Sequence, residues 1–170
     1  GDCLPLLLSL NAQVILQGLK KTKVLFLDDF FVSYRKTKLK KGQFIHSIRI
    51  PLFKGNTFKA YKVSKRFDDD ISSVCAAFNF EIVKSKVHNV RIAYGGMAAI
   101  PKRAIYCEKI FSNSSVTDEI INIAKKALEK DFKPISDMRA SGLYRMEVAK
   151  NLLEKFCSEI KQKKLIGVYF

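Results

Sequence analysis

Between residues 73 and 94 the side chains alternate with the period of a pleated strand: Phe78, Phe80 and Ile82 interleave with Ala77, Asn79 and Glu81. Runs 73–83 and 87–94, joined by Lys84-Ser85-Lys86, predict an antiparallel pair, and 58–63 predicts a strand before it. The period of residues 73–83 is that of a half-buried strand. Past residue 117 the period becomes that of a helix. Thr117 is placed to cap it, Asp118 and Glu119 suit its first turn, and Ile120, Ile123, Ala124, Ala127 and Leu128 form the expected apolar face. A last helix is expected from near Met138 to about Ile160. Its buried stripe is Ala149, Leu152, Leu153, Phe156, Cys157 and Ile160.

Upstream, Asp2 can cap a short helix running through Leu10, with Pro5 tolerated in its first turn. Runs 14–17 and 24–27 flank Gly18-Leu19-Lys20-Lys21 and read as a hairpin. Asp28 or Asp29 is expected to cap a helical turn ending near Phe31. Phe44, Ile45, Ile48 and Ile50 make a further strand stopped by Pro51, and Lys54-Gly55-Asn56 is a turn. Strands followed by helices give an α+β fold, with an antiparallel sheet packed against a small helical cluster. The best boundary lies near residues 52–57 and divides the chain into 1–55 and 56–170.

Composition narrows the function less than the pattern narrows the fold. Hydrophobic residues make up 48% of 170, enough for a packed core. The net charge of +15 raises a basic nucleic-acid-binding module as an alternative. The cations are spread along the chain, which favours a solvated lysine-rich surface. Cysteines 3, 75, 107 and 157 lack the C-x-x-C spacing of a zinc or iron–sulfur site, and Cys75 and Cys157 fall where small core residues belong. Nothing suggests a disulfide framework, so a reducing cytoplasm is the expected location. Residues 4–10 are apolar but too few to span a bilayer.

Chemistry has to be sought in four unusual stretches. The densest is Tyr61-Lys62-Val63-Ser64-Lys65-Arg66-Phe67-Asp68-Asp69-Asp70-Ile71, where mixed charge suits a functional loop better than a core. Three successive aspartates in extended chain point to alternate faces, so caps or ion pairs with Lys65 and Arg66 are expected rather than a metal site. Lys62, on its residues alone, reads as a strand lysine reaching solvent. The other stretches are Ser33-Tyr34-Arg35-Lys36-Thr37, Gly95-Gly96-Met97-Ala98 and Ser136-Asp137-Met138-Arg139-Ala140-Ser141. Gly95-Gly96 lacks the third glycine of a dinucleotide fingerprint and reads as a positive-φ position or a close chain approach. Ser136-Asp137 reads as a helix cap, and Arg139 and Arg145 as solvated helix charges.

In this order the stretches resemble the C-terminal half of the FAD-binding part of xanthine dehydrogenase, a molybdenum hydroxylase. The carbon monoxide dehydrogenase flavoprotein is a relative. Gly1-Asp2-Cys3-Leu4-Pro5 resembles the family's S-D-x-x-P element, which implies a flavin contact for Asp2. Phe44-Ile45-His46-Ser47-Ile48 resembles its I-L-L-S-I strand, which implies the same for Ile45. Tyr61-Lys62 resembles its F-K or Y-K pair, whose lysine lies on the flavin. Lys65, Arg66, Asp68, Asp69 and Asp70 fall in a segment similar to its mobile loop beside the ring. The family usually shows two adjacent basic residues there, whereas here Phe67 follows Arg66. The segment 136–141 and Tyr144-Arg145 look closest to the bacterial small-subunit type.

The resemblance implies that residues 1–55 end an FAD-binding α+β domain and that 56–170 form a C-terminal domain like that of the carbon monoxide dehydrogenase flavoprotein. It implies an oxidoreductase passing electrons from iron–sulfur clusters through FAD to NAD. The partners would be an N-terminal FAD-binding half, an iron–sulfur domain and a molybdopterin-containing subunit. The family's phosphate-binding glycine-rich loops lie upstream of the S-D-x-x-P element. FAD is therefore expected in the complete protein and not in this chain alone. A folded remnant that only docks to other subunits is a second alternative.

Overall fold

A computed structural model describes residues 2–66 and 71–162. The chain opens with α1 (Cys3–Ser9) and the hairpin β1 (Gln13–Gln17) and β2 (Thr22–Phe26). Next come α2 (Leu27–Phe30), the short pair β3 (Phe31–Ser33) and β4 (Lys36–Thr37), and β5 (Phe44–Arg49). β5 returns to β1, so a three-stranded antiparallel sheet is ordered β2-β1-β5. The second sheet contains β6 (Asn56–Val63), β7 (Val74–Val83), β8 (Lys86–Gly95) and β9 (Lys102–Arg103), all antiparallel and in sequence order. Helices α3 (Ile105–Phe111), α4 (Asp118–Asp131) and α5 (Gly142–Lys161) follow. The fold is α+β, as the pattern predicts, and among the described residues no helix is long and apolar enough to cross a membrane.

The β7–β8 turn places Lys84 and Ser85 at φ 48° and 65°, the left-handed pair that matches the twist of a two-residue hairpin. The alternation along β7 is one of size, because residues 74–80 are buried on both faces. Val74, Ala76, Phe78 and Phe80 point into the main core with Ile92, Tyr94, Phe111, Leu153 and Phe156. The Phe78 and Phe156 rings stack at 4.8 Å, and Phe80 meets Phe156 edge-on at 4.9 Å. The opposite positions are small: Cys75, Ala77, Ala93 and Gly95. They let α1 lie directly on the sheet, where a Cβ on Gly95 would stand 3.0 Å from Pro5 Cγ. Asn79 Nδ2 donates to Ser9 O at 3.1 Å and its cross-strand neighbour Arg91 donates Nε to Leu8 O at 3.1 Å, so both polar groups are satisfied by the end of α1.

Several expectations need correction. Asp28 caps nothing; its carboxylate accepts from Arg91 Nη2 at 3.0 Å and Arg103 Nη1 at 3.1 Å, and Phe26 occupies the cap position of α2. Thr117 does cap α4, accepting from Ile120 N. The buried face of α4 turns on Ile121, while Ile123 is 43% exposed. α5 starts at Gly142 rather than near Met138, with Ser141 Oγ accepting from Tyr144 N. Only glycine fits at 142, since a Cβ would come within 2.5 Å of Pro134 O. α3, absent from the sequence reading, is capped from afar: Asp131 accepts from Tyr106 N and Cys107 N, each at 2.9 Å.

Candidate functional site

One end of the four-stranded sheet gathers the unusual stretches. β6 ends there at Val63, β7 begins opposite it at Val74, and β8 ends at Gly95 opposite Cys75. Asp2 stands at the start of α1 above this end. It occupies the cap position but its side chain makes no capping bond. Its carboxylate instead pairs with Lys62 Nζ at 3.1 Å and accepts from Ser72 Oγ at 2.7 Å. The two side chains are 32% and 41% exposed, so the pair is neither buried nor free in water. Lys62, read from its residues alone as reaching solvent, is turned onto Asp2.

Beside the pair opens a pocket of ≈ 510 Å³. Asp2, Ser72 and Cys75 line one side, and Ile135, Asp137 and Arg145 are also in its wall. Burial pushes the Cys75 thiol up to about 12, helped by the nearby Asp2 carboxylate, so it is a neutral wall group and not a nucleophile. The carboxylate of Asp137 accepts from Arg139 N at 2.8 Å and Ala140 N at 3.2 Å, and it receives Arg145 Nη2 at 2.7 Å. These bonds, led by the Arg139 amide, hold its pKa below the usual carboxylate range.

Arg145 overturns the sequence reading, for it is 3% exposed rather than solvated. Its Nη1 donates to the carbonyls of Ser73 and Gly96 as well. Gly96 sits at φ +80°, and a Cβ there would stand 2.2 Å from Ser73 O, so the close chain approach expected of Gly95-Gly96 is real. The Ser136-Asp137 stretch is likewise more than a helix start: Asp137 ties its own loop to Arg145, and Ser136 Oγ accepts from Gly142 N. A signal for Arg145 was present, because it lies one turn ahead of Ala149 on the stripe that continues to Leu153 and Phe156.

The remaining expected positions divide. Ile45 lies on β5 of the three-stranded sheet, paired with Leu16 of β1, is 47% exposed and is not in the pocket wall. Lys65 Nζ reaches Met138 O at 3.5 Å, and Ser64 Oγ donates to the carbonyl of Arg66. Asp68, Asp69 and Asp70 lie outside the described residues. Among the described residues no cluster of His, Cys, Asp and Glu could hold a metal.

Residues 1–53 match the FAD binding domain in molybdopterin dehydrogenase, and residues 59–160 match the CO dehydrogenase flavoprotein C-terminal domain. Xanthine dehydrogenase of Emericella nidulans is 35% identical over 78% of this chain and 10% of its own length. The glyceraldehyde dehydrogenase medium chain of Sulfolobus acidocaldarius is 28% identical over 94% of this chain and 57% of its own. The chain thus spans little more than half of one relative and a tenth of the other. In solved structures, a carbon monoxide dehydrogenase chain of Hydrogenophaga pseudoflava superposes with a TM-score of 0.86 at 22% identity, over 91% of this chain and 54% of that one. The chain belongs to the FAD-binding flavoprotein part of the molybdenum hydroxylase family.

Proposed function

We propose that residues 1–55 and 56–170 are parts of two successive domains of a molybdenum hydroxylase flavoprotein, and that the Asp2–Lys62 pair contacts the flavin ring. The observation that carries the reading is the diversion of Asp2 from its helix cap to Lys62 and Ser72 beside an open pocket. The pair offers a carboxylate acceptor and an ammonium donor within 3.1 Å. A flavin ring edge alternates N–H and carbonyl groups and needs both. Exposed apolar side chains on the neighbouring sheet, among them Phe44, Ile45 and Ile48, suit the flat apolar body of the ring and the polypeptide around it. The donor set fits the ring. For the phosphates, the described residues offer no glycine-rich loop entering a helix.

FAD, when bound, would take electrons singly from iron–sulfur clusters and pass a hydride to NAD⁺. Lys62 would hold positive charge beside the ring as negative charge develops on it, and Asp2 would fix the direction of that amine. Ile45 would cover one edge of the ring from β5, and residues 65–70 would border the approach of the nicotinamide. The iron–sulfur and molybdopterin-bearing parts are the proposed partners. Two relatives are named as the medium chain and the medium subunit of their enzymes, as expected of one piece of such an assembly.

In the complete enzyme, Lys62→Met is expected to slow NAD⁺ reduction by about tenfold or more. Hydroxylation read with an artificial acceptor that draws electrons before the flavin should change far less. Equal loss in both assays would remove Lys62 from the flavin step.

A further inference from the structure

The Asp2–Lys62 pair depends on a piece of backbone held from another direction. Ser72, the donor to Asp2, precedes Ser73, and Ser73 is gripped on several sides. Its amide donates to Val63 O at 2.8 Å, and its carbonyl accepts from Arg145 Nη1. The same Nη1 donates to Gly96 O at 3.0 Å, and Nη2 to Asp137 Oδ1 at 2.7 Å. One guanidinium therefore joins the start of β7, the loop after β8 and the 136–141 loop, all around the pocket. The absence of a side chain at Gly96 is part of the device, since a Cβ would meet both Ser73 O and Arg145 Nη1, at 2.2 Å and 3.0 Å.

Stability alone does not ask for an arginine here. Position 145 continues the apolar stripe of Ala149, Leu153 and Phe156, where a leucine or methionine would pack. The arginine brings a buried charge, and its Nε has no hydrogen-bond partner. Replacing a complete buried ion pair by apolar groups is often neutral or stabilising, whereas removing one partner is costly, so what the arginine adds over an apolar residue is the joining of Ser73, Gly96 and Asp137.

We infer that Arg145 is a positioning residue for the proposed flavin contacts: by fixing Ser73, Gly96 and Asp137 together it sets the Ser72 hydroxyl that holds Asp2 against Lys62. The inference rests on the reading of Asp2 and Lys62 as flavin contacts. It also makes one device of the Gly95-Gly96 and 136–145 stretches.

The test uses the complete flavoprotein subunit, comparing Arg145→Met, Arg145→Lys and Lys62→Met with Leu153→Ala, a change on the same stripe away from the pocket. Amide exchange at residues 71–75, affinity for added FAD and thermal midpoint are measured for each. Arg145→Met is expected to speed exchange at 71–75 and weaken FAD binding, each by about tenfold. Its midpoint, read beside that of Leu153→Ala, separates loss of position from loss of stability, since Arg145→Met leaves the Ser73 and Gly96 carbonyls without their guanidinium donor. Arg145→Lys, able to reach one carbonyl, should recover part of both, and Leu153→Ala should change neither. Unchanged exchange in Arg145→Met, or the same acceleration in Leu153→Ala, overturns the inference. So does faster exchange with FAD affinity intact, provided Lys62→Met weakens FAD. If Lys62→Met also leaves FAD affinity and the flavin spectrum unchanged, the flavin reading fails while the clamp on 71–75 stands. Should Arg145→Met not fold, Arg145→Lys against Leu153→Ala carries the same comparison.

Discussion

In the four-stranded sheet, residues 74–80 of β7 are all buried; in the three-stranded sheet no residue of β2 or β5 is. Both sheets are antiparallel and both carry strand-like apolar sequence, so the difference lies in what covers them. β7 has three helices on one face and α1 on the other, and its side chains are sorted by size to fit. β1 buries Val14 and Leu16 beneath α1, with Leu8, Leu27 and Phe30. Its neighbours leave Val24, Phe26, Phe44, Ile45 and Ile48 between 44% and 57% exposed. Val24, Phe26 and Phe44 share one face of this sheet with Ile15, and Ile45 and Ile48 share the other with Val14 and Leu16, so both faces carry half-exposed apolar side chains. Covered and uncovered sheets meet at α1, and Asp2 stands where they meet.

The comparison is broken most directly in the core. Phe156→Ala removes the ring that stacks on Phe78 and abuts Phe80, and is expected to cost about 3–5 kcal/mol in urea unfolding. A loss below about 1 kcal/mol would mean that the second sheet is no better packed than the first. Within the three-stranded sheet a smaller contrast is expected. Leu16→Ala, at a fully buried site, should cost about 2–3 kcal/mol, and Ile48→Ala, 46% exposed, less than about 1. Equal costs would show that β5 is already covered in this chain.

Most of the fold was legible because it rests on local pattern. Strand alternation, the Thr117 cap and the Gly18 turn all report on neighbours within a few residues. What escaped was built from distance. α3 is capped by Asp131, more than twenty residues away, so nothing near Ile105 announces it. Asp28 looked like a helix cap until Arg91 and Arg103 claimed its carboxylate. Those two arginines show the cost of proximity. Burial and the neighbouring Arg103 lower the pKa of Arg91, whereas for Arg103 burial is outweighed by the hydrogen bonds it donates to the Glu108 and Asp28 carboxylates and by their charge. At the candidate site, Asp2 and Lys62 came through the family resemblance, while Ser72 and Arg145 needed coordinates. Periodicity alone placed Arg145 on a buried stripe, and residue type argued the other way.

The smallest expected effect separates the two regions by pH. Asp137 is held ionised by the amides of Arg139 and Ala140 and by Arg145, so its folded pKa lies below its unfolded value of about 3.9. A lowered carboxylate contributes stability that is present above the unfolded pKa and is lost as pH falls through the folded one. Glu159 works the same way. Burial alone would raise it, but hydrogen bonds from Lys155 and Tyr61 outweigh that and lower it. Glu108 opposes them: burial raises it despite Arg103, so its contribution is present below about pH 4.3 and is lost as pH rises through its folded value. All three carboxylates belong to the second part of the chain, and so should the acid limb. Asp137→Asn is expected to make the fall in urea midpoint between about pH 5 and about pH 3 shallower than in the unaltered chain. At neutral pH it should sit below the unaltered chain, because the carboxylate that pairs with the buried Arg145 is lost. A variant that tracks the unaltered chain in parallel at every pH would show that Asp137 is not held ionised by its loop, and would leave Arg145 without its carboxylate partner in solution.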